Sequence, residues 1–103
     1  MLFRSQKLNE RRFDAIRFQG PGTDLTVGLL PTSRFGSDTP GMQTIDGVIH
    51  APNLPTEEVT TTPDPMRAEG VVTATKPLDV AGAVVRDLVV RFEGGRVDRK
   101  SVV

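Results

Sequence analysis

Short apolar runs of period two, cut at close intervals by glycine and proline, constrain this chain more than any other feature. In Phe13-Asp14-Ala15-Ile16-Arg17-Phe18, Ile16 and Phe18 fall on one side of an extended backbone and Arg17 on the other, because successive strand residues face opposite ways. Gln19-Gly20-Pro21-Gly22 supplies a turn, and Asp24-Leu25-Thr26-Val27-Gly28-Leu29-Leu30 alternates again, with Leu25, Val27 and Leu29 on one face. The two runs are predicted to pair as a hairpin. The first ten residues are polar around the anchors Leu2, Phe3 and Leu8, a spacing that suits the last turns of a helix but not a self-sufficient one.

Residues 31–47 are poor in apolar side chains and rich in Ser, Thr, Gly, Asp and Pro, which predicts a long surface loop with mobility around residues 36–41. After the short run Val48-Ile49, the β-branched stretch at residues 56–62 predicts an extended strand that stops at Pro63-Asp64-Pro65. Further strands are predicted over residues 70–76 and 83–92. Residues 78–80 and the Ala81-Gly82 turn lie between them, and Glu93-Gly94-Gly95-Arg96 closes a last hairpin. In the long 83–92 run, Leu88, Val90 and Phe92 would share a face. The sum is a mainly β chain, an antiparallel sheet of about six strands with a short N-terminal helical remnant.

A length of 103 residues allows one modest core, burying roughly 65% of the surface of the unfolded chain. Gly and Pro together make up 18 of the 103 residues, short of the range in which disorder becomes the better expectation, so the bulk should fold. Thirteen basic residues balance thirteen acidic ones, and no window gathers a basic stripe, so charge indicates neither nucleic acid nor an anionic membrane as partner. With no cysteine there are no disulfides or thiolate metal ligands, which fits a reducing compartment, and the cytoplasm is the expected location. No apolar stretch has the length of a signal peptide or a membrane span. Trp and Tyr are absent, so a stacking platform for bases or sugars is not expected.

Two blocks carry a resemblance: Gly22-Thr23-Asp24-Leu25-Thr26-Val27-Gly28-Leu29, and Pro52-Asn53-Leu54-Pro55-Thr56-Glu57-Glu58-Val59 followed by Thr62-Pro63-Asp64. In this order and spacing the chain resembles the aminopeptidase T family of metallo-aminopeptidases (AmpS/PepS-like). Gly70-Val71-Val72, Lys76-Pro77-Leu78 and Phe92-Glu93-Gly94-Gly95-Arg96-Val97 continue the match. The second block is an unusual string and gives the resemblance its specificity. It implies an internal segment of a larger α+β enzyme, with residues 1–97 a partial β-rich piece of the metal-binding domain and residues 98–103 a tail that departs from the pattern. It also implies cytoplasmic, homodimeric exopeptidases that remove N-terminal residues from peptides with two divalent ions, cobalt, zinc or manganese. The second Glu of the Pro-Thr-Glu-Glu-Val string is a metal ligand in that family, which falls on Glu58. The other ligands, a Glu, two His and an Asp, lie beyond this segment, so the chain by itself is expected to be inactive and to hold no catalytic residue. Where the family pattern has Phe after that Val, this chain has Thr60, a smaller side chain behind the ligand segment.

The residues themselves agree on one point. Neighbours on a strand face opposite sides, so Glu57 and Glu58 cannot both serve one metal without distortion. A pair of divalent ions about 3.5–4 Å apart needs hard anionic ligands, and carboxylates supply them. Taken without the family, Glu57-Glu58 is an ordinary solvated pair. His50, the sole imidazole, could in principle join Glu58 and Asp64 at a mixed nitrogen and oxygen site, but a loop His beside Pro is more often simply exposed. A self-contained mononuclear hydrolase fails on ligand supply. Asp24 is expected to cap nearby backbone as the strand begins, with substrate contact as the lesser alternative. The rival reading from another class is a small non-catalytic β module that binds a peptide or protein at a sheet edge.

Overall fold

The computed structural model describes residues 2–36, 42–50 and 58–101. Along the chain these form α1 (Leu2–Arg11), β1 (Ala15–Gly20), β2 (Thr23–Leu29), β3 (Met42–Gln43), β4 (Ile49–His50), β5 (Pro63–Thr73), β6 (Leu78–Val80), β7 (Ala83–Val85), β8 (Val89–Glu93) and β9 (Arg96–Ser101). The mainly antiparallel β class is therefore as expected. The strands are more numerous than predicted, and five of them make the main sheet. No helix among the described residues is long and apolar enough to cross a membrane.

Two compact units divide the chain. The first comprises Met1–Phe13 and Leu30–Thr62. Here α1 ends at Arg12, whose φ of 52° is the left-handed turn that closes a helix. One turn earlier, Asn9 clasps the backbone of Phe35: its Nδ2 donates to the Phe35 carbonyl at 2.8 Å and its Oδ1 accepts the Phe35 N–H at 2.7 Å. Strands β3 and β4 pair around a loop organised by Thr44, whose hydroxyl donates to Asp46 Oδ1 at 2.6 Å and accepts the Val48 N–H at 3.0 Å. The predicted loop over residues 31–47 thus contains a strand and, at Gly36, a bridge to Thr60. Beyond Gly36, the stretch of expected mobility lies outside the described residues.

The second unit comprises Asp14–Leu29 and Pro63–Val103 and holds an antiparallel sheet in the order β1-β2-β5-β8-β9. The predicted first hairpin forms, with Ile16 opposite Val27 and Phe18 opposite Leu25. The predicted last hairpin forms too, turning at Gly94 (φ 58°) and Gly95 (φ 80°), the pair of left-handed residues that a tight two-residue turn requires. This turn rests on β5, where the Gly94 N–H donates to Glu69 Oε1 at 2.6 Å and the Gly95 N–H to the Ala68 carbonyl at 3.1 Å.

Three strand expectations are corrected. Among residues 58–62 the only pairing is the single bridge at Thr60, and a strand starts at Pro63-Asp64-Pro65 instead of stopping there. Proline is tolerated because Leu29 meets Pro63 across a register shift, where the regular ladder has already broken. The run over residues 83–92 splits into β7 and β8 because Asp87 takes a φ of 52°, which turns the chain. The strand predicted over residues 70–76 ends at Thr73.

Registry across the sheet sorts the side chains into two faces. One row runs Phe18, Leu25, Gly70, Phe92, Val97. The neighbouring positions Ile16, Val27, Ala68, Val72 and Val90 lie on that same apolar face. The opposite face carries Gln19, Asp24, Val71, Arg91 and Arg99 in register. Among the described residues Leu29, 3% exposed, is the single buried hydrophobic side chain, and no side chain is fully buried.

Candidate functional site

Glu58 is exposed and stands just ahead of a stapled segment. Thr60 and Gly36 exchange both backbone hydrogen bonds at 2.8 Å, and Thr61 Oγ1 donates to the Arg34 carbonyl at 3.0 Å. Ser33 Oγ donates to the Thr62 carbonyl at 2.5 Å and accepts the Leu30 N–H at 3.0 Å. Ser33 and Thr61 make this ladder because a hydroxyl can satisfy a backbone group that an irregular segment leaves without a sheet partner. The chain that follows Glu58 is therefore held by residues 33–36, which limits where its carboxylate can sit. Thr60, the departure from the family pattern, is exposed and acts through its backbone.

The other residues singled out by sequence are not gathered around it. Glu57 lies outside the described residues. His50 is on β4, exposed, opposite Met42. Asp64 is half-buried on β5 and spends Oδ1 on the Met66 N–H at 2.9 Å, a local turn contact. Among the described residues no three His, Asp or Glu side chains form a group that could hold a metal ion. The described residues do not by themselves fit a metal centre.

Asp24 is structural in a different way from the expected backbone cap. Its carboxylate takes a two-pronged contact from Arg17, Nε to Oδ1 at 3.0 Å and Nη2 to Oδ2 at 2.9 Å, across the β1–β2 pair. A second fork joins Arg67 to Asp14, Nη1 to Oδ1 at 3.1 Å and Nη2 to Oδ2 at 2.7 Å, and Arg67 Nη1 also reaches the Leu29 carbonyl at 3.1 Å. Arg67 crosses over Gly28 to do so, and a side chain at Gly28 would collide with it. Hydrogen bonding and then charge attraction from Arg67 hold the Asp14 carboxyl below its ordinary pKa. Hydrogen bonding from Arg17 does the same for Asp24.

Lowered carboxyl pKa values stabilise the fold above the unfolded value of about 4, and that contribution is lost as pH falls through the lower folded values. The chain is therefore expected to melt progressively earlier as pH is taken from about 5 towards 2. Asp14→Asn plus Asp24→Asn should flatten that dependence. Both pairs are exposed, so the effect is modest and shrinks in high salt. Melting curves against pH, with and without added salt, check it.

Sequence reasoning passed over one further feature. An open groove of about 630 Å³ runs along β9, lined by Val71, Val89, Arg91, Asp98, Arg99 and Lys100. Residues 98–101, read as the start of a departing tail, form part of β9. The one-residue bulge that places Asp98 between Phe92–Val97 and Arg91–Arg99 breaks the alternation that would have marked the strand.

Comparison with known proteins gives the family. Residues 3–101 match the family described as thermophilic metalloprotease (M29). The chain is 55% identical over 89 residues to Aminopeptidase T of Thermus aquaticus, covering 85% of this chain and 21% of that protein. It is 41% identical over 90 residues to Aminopeptidase PepS of Streptococcus thermophilus, covering 87% of this chain and 21% of that protein. The solved structure of wild-type AmpT from Thermus thermophilus superposes with a TM-score of 0.78 at 42% identity, covering 98% of this chain and 25% of that one. The chain thus spans about a fifth of the length of the curated relatives it matches. With the match running through nearly its whole length, the chain belongs to the M29 metalloprotease family.

Proposed function

We propose that this chain is the part of a metal-dependent aminopeptidase that contributes Glu58 as one metal ligand, the remaining ligands coming from polypeptide outside these residues. The observation that carries the reading is the family match over residues 3–101, which includes the Pro-Thr-Glu-Glu-Val string. The exposed carboxylate of Glu58 beside the stapled 60–62 segment is compatible with a ligand presented outward. In the complete enzyme Glu58 would be one of the groups holding a pair of divalent ions, cobalt, zinc or manganese, whose chemistry there would be to lower the pKa of a bound water. The role of this chain's own residues is to offer a hard anionic oxygen at Glu58 and to hold it in place through Thr60, Thr61 and Ser33. The substrates are peptides with a free N-terminus, and the complete enzyme is a cytoplasmic homodimer.

Hydrolysis of leucine and phenylalanine chromogenic amides tests this. A family-length chimera, in which this segment replaces its counterpart in the Thermus thermophilus enzyme, should turn them over with added divalent metal, and the 103-residue chain alone should not. Metal-dependent turnover by the chain alone, or an inactive but folded chimera, would contradict the proposal. The groove over β5, β8 and β9 favours one alternative, a module that binds a peptide there without cleaving it. Peptide binding by the chain alone that ignores chelators would support that alternative.

A further inference from the structure

We infer that the apolar face of the five-stranded sheet is a docking surface, and that its occupant is the part of a family-length metalloprotease chain lying outside these residues. The inference rests on family membership and on the sheet, not on Glu58 as a ligand.

An antiparallel sheet usually turns one face to water and the other to a core, and its side chains show which is which. The face with Arg17, Asp24, Arg91 and Arg99 is charged, and its Arg17–Asp24 fork is complete without any partner. The other face lines up Phe18, Leu25, Phe92 and Val97, with Val72 and Val90 beside them. Such a face needs a second layer. Among the described residues its own unit contains no helix, and β6–β7 pair only with each other. At the two edges of the sheet Phe18 remains 50% and Val97 54% exposed, and between them Leu25, Val72, Val90 and Phe92 are only half-buried. An apolar face left this incompletely covered marks an interaction surface.

Two observations choose the occupant. Superposition on the Thermus thermophilus structure takes in only 25% of that chain, so three-quarters of a family-length polypeptide remains to supply a covering layer. The fold of the matched part is kept at a TM-score of 0.78, so the sheet is the one that the larger protein contains. Pairing with a second copy through the sheet edge is disfavoured at β9, where Arg96, Asp98, Arg99 and Lys100 crowd the strand with charge.

The chain has no cysteine, which makes single-cysteine probes clean within it. Val97→Cys reports the apolar face and Arg99→Cys the charged one. Maleimide labelling of each is followed by mass spectrometry of the labelled peptide, in the isolated chain and in the chimera described above. Docking predicts that Val97→Cys labels at least about tenfold more slowly in the chimera than in the isolated chain, while Arg99→Cys changes less than about twofold. Equal rates at Val97→Cys in the two proteins would overturn the inference. So would a rate in the isolated chain that falls with rising protein concentration to the level of the chimera, because a second copy would then be the occupant. Comparing the two probes inside a chimera of native circular dichroism keeps the test valid whether or not the isolated chain folds. An inactive chimera with a protected Val97→Cys would count against the enzymatic proposal and leave the docking surface standing.

Discussion

The Glu58→Gln substitution, placed in the family-length chimera, is expected to lower kcat/KM for leucine amide hydrolysis at least about 100-fold. The amide keeps the shape of the side chain and removes its charge, and charge is what a hard oxygen ligand brings to a divalent ion. Circular dichroism of the metal-free protein should stay as it was, so that the loss reads on the site and not on the fold. Asp24→Asn is the control, since Asp24 is engaged with Arg17 on the charged face of the sheet. It should leave kcat/KM within about threefold. Comparable losses for the two variants would assign Glu58 a general electrostatic role in place of a ligand role.

Gly70→Val should destabilise the sheet unit severely, with a cost on the order of 3 kcal/mol or more. Gly70 has a φ of 126°, in a region that residues with a side chain rarely adopt. A Cβ there would overlap the Asp24 carbonyl and lie 3.0 Å from the Leu25 Cα, both of them backbone atoms that cannot swing away. The position lies opposite Leu25 on β2 and Phe92 on β8, so relieving the clash means separating the strands that join the two hairpins. Against a typical domain stability of about 5–15 kcal/mol, that loss removes a large share of the total. Gly20→Ala, at a site where an added methyl would meet nothing within 4 Å and φ is not positive, should shift stability by less than about 1 kcal/mol. Urea titrations of the three proteins check the contrast. A folded Gly70→Val protein with an unchanged midpoint would refute this account of the β2–β5 contact.

Period-two patterning was enough to find both hairpins of the main sheet, because each is local and its turn carries glycine, Pro21-Gly22 in one and Gly94-Gly95 in the other. The same rule misread the start of β5. Proline argues against a strand wherever the ladder is regular, and the register shift between Val27 and Leu29 that makes Pro63 acceptable is set by β2, more than thirty residues away. Nor does the pattern over residues 83–92 announce a break. Asp87 can enter the left-handed region without strong penalty, and the Leu88 carbonyl is recovered by the Ala74 N–H at 2.8 Å. The Arg17–Asp24 fork follows from the hairpin register once it is known, whereas Arg67 and Asp14 are separated by 53 residues and no local rule could pair them.

Glu58 was legible only through resemblance. By pattern alone it is one of two adjacent acids in a polar stretch, and neither His50 nor Asp64 comes with it to form a group that could hold a metal. What the structure adds is the hydroxyl ladder of Ser33, Thr61 and Thr62 that anchors the chain just beyond it. That ladder depends on pairing residues 33–36 with residues 60–62, a contact that loop composition cannot reveal.

The most direct measurement is equilibrium dialysis of zinc and cobalt against the family-length chimera and its Glu58→Gln variant, counting ions bound per chain. If Glu58 is a ligand, the variant should bind at least one ion about 100-fold more weakly while its fold is intact. Equal metal content and equal affinity in the two proteins would contradict the central claim.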